Sequence, residues 1–127
     1  MAIIRSFRDL RVYHQTRIEI QRVFKMTQTF PREEKFSLTD QIRRSSRAVK
    51  SMIAEAWAHR RYPASFVSKL TDSLGEANET QSWLDDALDC SYINTDQHRD
   101  LDAAWQAIGG MINNMIDRSD DFCKNAK

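Results

Sequence analysis

Apolar and small residues recur along this chain at steps of three and four, the spacing that keeps side chains on one face of an α-helix. Four segments carry such a stripe, over about residues 7–28, 32–59, 64–89 and 96–122, with an irregular turn near 36–38 in the second. The second segment has the clearest stripe: Leu38, Ile42, Ser45, Val49, Met52 and Ala56. The pattern predicts four amphipathic helices within a single domain, residues 1–127.

The lengths of these helices indicate the architecture. Segments of 22 to 28 residues form rods of about 33–42 Å. Short connections make neighbouring rods antiparallel. The chain has 3 glycines and 2 prolines, too few for the many turns of an antiparallel sheet. We therefore predict an all-α fold, an up-down-up-down antiparallel four-helix bundle.

Membrane and export signals are not recognisable in the sequence. No apolar run approaches the length that crosses a bilayer, and the opening MAIIRSFRDLR has no apolar stretch long enough for a secretory signal. Cys90 and Cys123 lie far apart and form no CxxC pair, which is typical of reduced thiols. We expect a cytoplasmic protein without a membrane partner.

Charge is divided unevenly between the two halves of the chain. Residues 1–62 hold 14 Lys and Arg against 6 Asp and Glu, whereas residues 63–127 hold 5 against 12. The net charge of +1 is therefore the sum of a balance of +8 and one of −7. The halves should attract each other, either within the bundle or between subunits of an oligomer.

Cations line the sides of the first two predicted helices that face away from the apolar stripes. On the second helix they fan out opposite the stripe, and two more follow its end. The candidate phosphate-binding residues are Arg43, Arg44, Arg47, Lys50, Arg60, Arg61, Arg11, Arg22 and Lys25. Arginine suits phosphate because its planar fork donates two hydrogen bonds. The alternative is a solvated basic surface paired with the acidic third and fourth helices.

Three large apolar residues lie beside or off the stripes and are candidates for an oligomer interface: Ile18, Trp57 and Trp83. Aromatic anchors often dominate the energy of such interfaces. The alternative is partial cover by the stems of neighbouring Lys and Arg side chains.

Catalytic and metal-binding patterns are missing from the sequence. A di-iron bundle needs inward carboxylates with two Glu-x-x-His pairs, and this chain has none. We find no phosphate-binding Gly-rich loop, no GxSxG elbow and no Cys/His nucleophile arrangement. Glu55 and Glu76 are instead expected to pair with Arg44, Arg17 or another arginine between helices. The sequence predicts a protein that is not an enzyme and that holds no cofactor or metal.

Four ordered motifs resemble one bacterial family. They are FRDLRVY at 7–13, Phe30-Pro31 followed by two glutamates, QIRRSSRAVKSMIAEAW at 41–57 and SLGEANETQSWLDDALDCSYI at 73–93. Together they resemble the four-helix-bundle proteins encoded in intervening sequences of 23S ribosomal RNA genes. That family is similar in turn to the accessory variability determinant of diversity-generating retroelements.

The resemblance implies a ring-like homopentamer without catalytic machinery. It further implies that basic surface binds RNA or DNA and a reverse-transcriptase-like or other protein partner. Carried over to this chain, the basic positions of the second helix are Arg43, Arg44, Arg47 and Lys50, with Arg60 and Arg61 beyond it. We therefore predict an oligomeric nucleic-acid-binding scaffold. A protein–protein scaffold with no nucleic-acid ligand is the alternative.

Overall fold

The computed structural model describes residues 3–124 and residue 126. These residues form five α-helices and two short 3₁₀ helices, with no β-strand among them. The α-helices are α1 (Arg11–Thr27), α2 (Leu38–Ala58), α3 (Pro63–Asp89), α4 (Thr95–Asp117) and α5 (Ser119–Cys123). The 3₁₀ helices are Phe7–Asp9 and Arg32–Glu34. The all-α prediction is confirmed.

Three of the four predicted helices are interrupted near an end. The first breaks at Leu10, which has an extended backbone, so Phe7–Asp9 is a separate turn closed by Ser6 and Asp9. The second begins at Leu38, after the non-helical Ser37, and the fourth divides at Arg118. The break at Ser37 lies within the irregular turn predicted near 36–38. The periodicity ran through the break at Leu10 because Leu10 is itself buried in the core.

Side-chain pairs show that successive long helices run antiparallel. Along α1 and α2, Tyr13 lies near Lys50 while Thr27 bonds Arg43. Along α2 and α3, Ser45 bonds Thr80 while Glu55 pairs with Lys69. Asp85 of α3 meets His98 of α4, and Gln81 meets Asp102 one turn further on. Because α1 also packs on α4, the four helices close into the predicted up-down-up-down bundle.

The core lies along the shared axis of the bundle and contains the stripe of the second helix except Met52, which is half-buried. Its largest fully buried side chains include Trp105, Phe66, Ile42, Ile53 and Leu70. Small polar residues let α2 and α3 approach closely, as the hydroxyls of Ser45 and Thr80 are 2.8 Å apart. Ser73 Oγ donates to the Val49 carbonyl oxygen at 2.9 Å. Each of these three buried hydroxyls is thus hydrogen-bonded, which offsets the cost of burying a polar group.

Two further expectations concern membrane-spanning helices and the cysteines. Across the described residues, we find no helix with the length and apolar character needed to span a membrane. Cys90 and Cys123 are both free thiols, as the sequence predicted.

At one end of the bundle a hydrogen bond joins the α1–α2 connection to the α3–α4 connection. The Tyr92 hydroxyl, between α3 and α4, donates to Glu34 Oε2 at 2.7 Å, and the Tyr92 ring packs on Phe30. This bond, with a second from the Leu38 amide, lowers the pKa of the Glu34 carboxyl below its ordinary value. The same bond raises the pKa of Tyr92 to about 12.

These shifts predict a pH window for the contribution of Tyr92 to stability. The folded pKa of Glu34 is lowered, so the stabilisation is present above the ordinary glutamate pKa and is lost as pH falls through the lowered value. The folded pKa of Tyr92 is raised, so the stabilisation is lost as pH rises through about 12.

We expect Tyr92→Phe to lower the Tm by a few degrees at neutral pH and by less in acid. Thermal unfolding followed by circular dichroism checks this. Tyr62→Phe, at an exposed tyrosine, is the control, and an equal loss of Tm at all pH values would contradict the prediction.

Candidate nucleic-acid interface

The exposed side of α1 carries no carboxylate. Its exposed residues include Arg11, His14, Arg17, Arg22 and Lys25. The one acidic residue of this helix, Glu19, is buried at 3% exposure and accepts a hydrogen bond from Arg22 Nη1 at 2.7 Å. The positive charge of the other α1 cations is therefore not offset from within their own helix.

Antiparallel packing places the cations of α2 beside those of α1. Between the helices lies an open groove of about 480 Å³ whose lining includes His14, Arg17, Gln21 and Lys50. Lys25 lies one turn beyond Gln21, and Arg47 and Arg43 lie one and two turns from Lys50, which keeps them on the same side. We call this surface the basic face, defined as His14, Arg17, Lys25, Arg43, Arg47 and Lys50.

The basic face has no carboxylate partner in the part of the chain that the structure describes. None of its six residues takes part in an ion pair there. Between the basic and acidic halves of the described chain, only Lys69 and Glu55 form an ion pair, at 3.1 Å. The acidic half of the chain therefore does not neutralise this surface through direct contacts.

Two cations of the basic face are positioned by aromatic rings of α1. The Arg43 guanidinium lies 4.6 Å from the centroid of the Phe24 ring, and its Nε donates to Thr27 Oγ1 at 2.8 Å. Lys50 Nζ lies 5.9 Å from the centroid of the Tyr13 ring. Cations over aromatic faces are attracted by the ring quadrupole. Arg43 therefore also helps to hold α1 against α2, whereas Arg17 and Arg47 are exposed.

Arg44 belongs to a different surface from the one the sequence indicated. Its charge acts on Glu76 of α3 and offsets part of a rise in the pKa of that carboxyl. The rise itself comes from burial and from the nearby negative charge of Glu79. The expected link between Arg44 and Glu76 is thus electrostatic proximity across α2 and α3. The prediction that Glu55 pairs with an arginine is wrong, because Glu55 pairs with Lys69.

The remaining predicted cations are also dispersed. Arg60 Nε donates to the Trp57 carbonyl oxygen at 2.8 Å, and its guanidinium lies 3.5 Å from the centroid of the Trp57 ring. Arg61 is exposed just after α2. Arg11 lines a groove shared with Met111 of α4, and Arg22 is held by Glu19. The nine predicted cations therefore form no single surface, and four of them contribute to the basic face: Lys25, Arg43, Arg47 and Lys50.

The three candidate interface residues differ in exposure. Ile18 is 43% exposed and lines the α1–α2 groove. Trp57 is half-buried beneath Arg60. This agrees with the alternative to an interface, partial cover by a cationic side chain. Trp83 is half-buried against the core, and its Nε1 has no hydrogen-bond partner among the described residues. Ile18 is thus the candidate most available to another molecule.

A family model for the 23S rRNA-intervening sequence protein matches residues 8–114 of the chain. The chain belongs to this family. A solved structure from Bacteroides thetaiotaomicron VPI-5482, a protein of unknown function from the S23 ribosomal protein family, has the same fold with a TM-score of 0.74. The two chains are 27% identical over 83% of this chain and 97% of the other. No curated protein matches the sequence significantly.

The match to the family confirms the resemblance seen in the four motifs. It includes the whole of α1, α2 and α3, and therefore both helices that form the basic face. The similarity to the retroelement accessory protein stays a prediction.

Sequence reasoning missed two members of the basic face, Arg17 and His14. Arg17 was considered only as a partner for a glutamate on another helix. Its spacing of three from His14 and four from Gln21 placed all three on one side of α1. Only the antiparallel register of α1 and α2 shows that this side meets Lys50 in one groove.

Proposed function

We propose that this protein binds the phosphate backbone of nucleic acid along the basic face. The observation that carries the proposal is a surface of cations from α1 and α2 that has no carboxylate partner among the described residues. Phosphate contacts supply most of the non-specific affinity for nucleic acid. Because the acidic residues concentrate in the other half of the chain, the net charge of +1 does not describe this surface.

The dimensions of the basic face suit a polymer of phosphates. From His14 to Lys25, α1 extends about 16 Å. Duplex DNA carries one negative charge per roughly 1.7 Å of its axis, so a segment of that length carries about nine charges. Several cations can therefore contact phosphates at once. The name of the family, which refers to 23S rRNA, makes RNA the first ligand to test.

We also propose that copies of the chain associate, as the resemblance implies for a homopentameric ring. Two features support self-association. Ile18 is exposed beside the basic face, and the exposed side of α4 is uncharged at Ala103, Ala107, Gly110 and Asn114. In a ring, each basic face would be repeated around the symmetry axis. The number of phosphate contacts would rise accordingly.

Measurement of binding across salt concentrations tests the proposed function. We expect a fluorescent RNA duplex of mixed sequence to bind at 50 mM KCl, with log K falling linearly as log salt rises. Light scattering on the same preparation should give a mass of 74 kDa for a pentamer, five times 14.8 kDa. Failure to bind RNA or DNA at 50 mM KCl would contradict nucleic-acid binding. A mass of 14.8 kDa would contradict the ring, and a stable oligomer without binding would favour the protein–protein scaffold.

A further inference from the structure

Three side chains with metal-ligating atoms meet between α3 and α4, away from the basic face. His98 Nε2 lies 2.8 Å from Asp85 Oδ1, and Asp102 completes the group. One ligand atom from each residue lies within 4.8 Å of the other two. We propose that Asp85, His98 and Asp102 form a binding site for a divalent transition-metal ion such as Zn²⁺.

The arrangement of the three residues follows from the helices that carry them. His98 and Asp102 are four residues apart on α4, so their side chains point to the same side of that helix. Asp85 faces them from α3, near the turn that joins the two helices. The sequence pattern considered above, Glu-x-x-His, has a spacing of three and a glutamate, and it did not detect this set. Only the antiparallel packing of α3 on α4 brings Asp85 to the pair.

The ligand types indicate the class of metal. One imidazole nitrogen with two carboxylates suits Zn²⁺ and related first-row ions, whereas Mg²⁺ and Ca²⁺ prefer oxygen ligands alone. Bonds from Zn²⁺ to such nitrogen and oxygen atoms are about 2.0–2.2 Å. Ligand atoms around a tetrahedral ion are then about 3.4 Å apart, so ligand atoms within 4.8 Å can reach a shared ion after side-chain rotations. Three protein ligands leave a coordination position for water.

A neighbouring glutamine holds one of the ligands, Asp102, in place. Gln81 Nε2 donates to Asp102 Oδ1 at 3.1 Å and to Gln106 Oε1 at 3.0 Å. The side chain of His98 is only 19% exposed, whereas that of Asp85 is 67% exposed and can rotate to share an ion. Hydrogen-bonded outer partners orient metal ligands and tune their affinity. The site therefore has an oriented Asp102 and a mostly buried His98 on α4, with a movable third ligand on α3.

A bound ion would link α3 to α4 and offset the negative charge of the acidic half. The site uses neither α1 nor α2, so its presence does not depend on nucleic-acid binding. The two proposals can therefore succeed or fail separately.

Titration of the metal-free protein with ZnCl₂ tests the proposed site, in a Cys90→Ser/Cys123→Ser background that removes the thiols. Calorimetry gives the affinity, and NMR of the imidazole nitrogens shows which histidine binds. We expect the signals of His98 to shift while those of His14 and His59 stay in place. His98→Gln and Asp102→Asn should each weaken binding at least about tenfold, and Gln81→Ala about tenfold.

Asp100→Asn is the matched control, because it removes one charge from an exposed α4 aspartate that is not part of the group. It should leave the affinity unchanged. Stoichiometric Zn²⁺ binding that His98→Gln does not weaken, or no shift of the His98 signals, would overturn the proposal. So would the absence of heat at millimolar ZnCl₂ in a protein that circular dichroism shows to be folded.

Discussion

Replacing Arg17, Arg47 and Lys50 together with glutamine is expected to weaken RNA binding about 100-fold at low salt. Each of the three residues contributes a positive charge to the basic face, and none has an ion-pair partner among residues 3–124. A charge-assisted contact at an exposed site contributes about 1 kcal/mol or more. Each lost phosphate contact should also reduce the slope of log K against log salt by about 1. Fluorescence anisotropy across KCl concentrations measures both quantities.

A matched variant separates local from total charge. Arg99, Arg118 and Lys124 are three exposed cations of the acidic half, and their combined change to glutamine gives the same net charge. We expect this variant to bind RNA within about threefold of the unmodified protein, because its changes are remote from the phosphates. Equal weakening in both triple variants would contradict a localised interface. Thermal unfolding should show both variants to be folded.

Arg43 needs separate treatment because it has a structural role as well. Its hydrogen bond to Thr27 and its contact with the Phe24 ring join α1 to α2, so its loss would lower affinity and stability together. Arg43 is therefore left unchanged in the triple variant. Arg17 and Arg47 are exposed and lack such contacts in the structure.

Replacing Trp105 with alanine is expected to reduce the free energy of unfolding by about 3–5 kcal/mol. Trp105 is fully buried at the centre of α4 and is the largest such side chain. Its removal leaves a cavity that the packed helices cannot fill. The Tm should fall by roughly 10–20 °C for a chain of this size. Urea unfolding followed by circular dichroism measures the change, with the slope m expected to stay the same.

The indole nitrogen of Trp105 allows a second comparison. Its Nε1 is buried and has no hydrogen-bond partner among the described residues. Trp105→Phe removes this polar atom along with some volume, so we expect it to cost less than half as much as alanine. Trp57→Ala, at a half-exposed indole, should also cost less. A loss below about 1 kcal/mol for Trp105→Ala would contradict a core centred on this residue.

The fold was largely readable from the spacing of apolar residues. Most residues of the stripes on α2 and α4 are buried, because a helix in a bundle packs one face against its neighbours and residues on that face recur every 3.6 positions. The irregular turn predicted near 36–38 is present, and α2 begins at Leu38 after it. The break at Leu10 was not readable, since backbone angles can leave the helical region while the flanking apolar residues still reach the core. The interruption at Arg118 was missed for the same reason.

The candidate site was only partly predictable. Sequence identified the cations of α2 and the excess of positive charge in the first half. It grouped Arg44 and Arg60 with them, although the charge of Arg44 acts on Glu76 and Arg60 stacks on Trp57. Arg17 was missed as a member. Membership of a surface that spans two helices depends on their register, and periodicity within one helix carries no information about it.

Composition, charge division and periodicity determined that this chain forms long amphipathic helices with a basic and an acidic half. These properties follow from the order of residues along the chain, and none depends on a contact between distant residues. The tertiary structure decided which polar side chains lie together. Arg17 and Lys50 line one groove, and His98 bonds Asp85 between α3 and α4. The physical reason is that cross-helix contacts are set by how buried faces pack, which joins residues far apart in the chain.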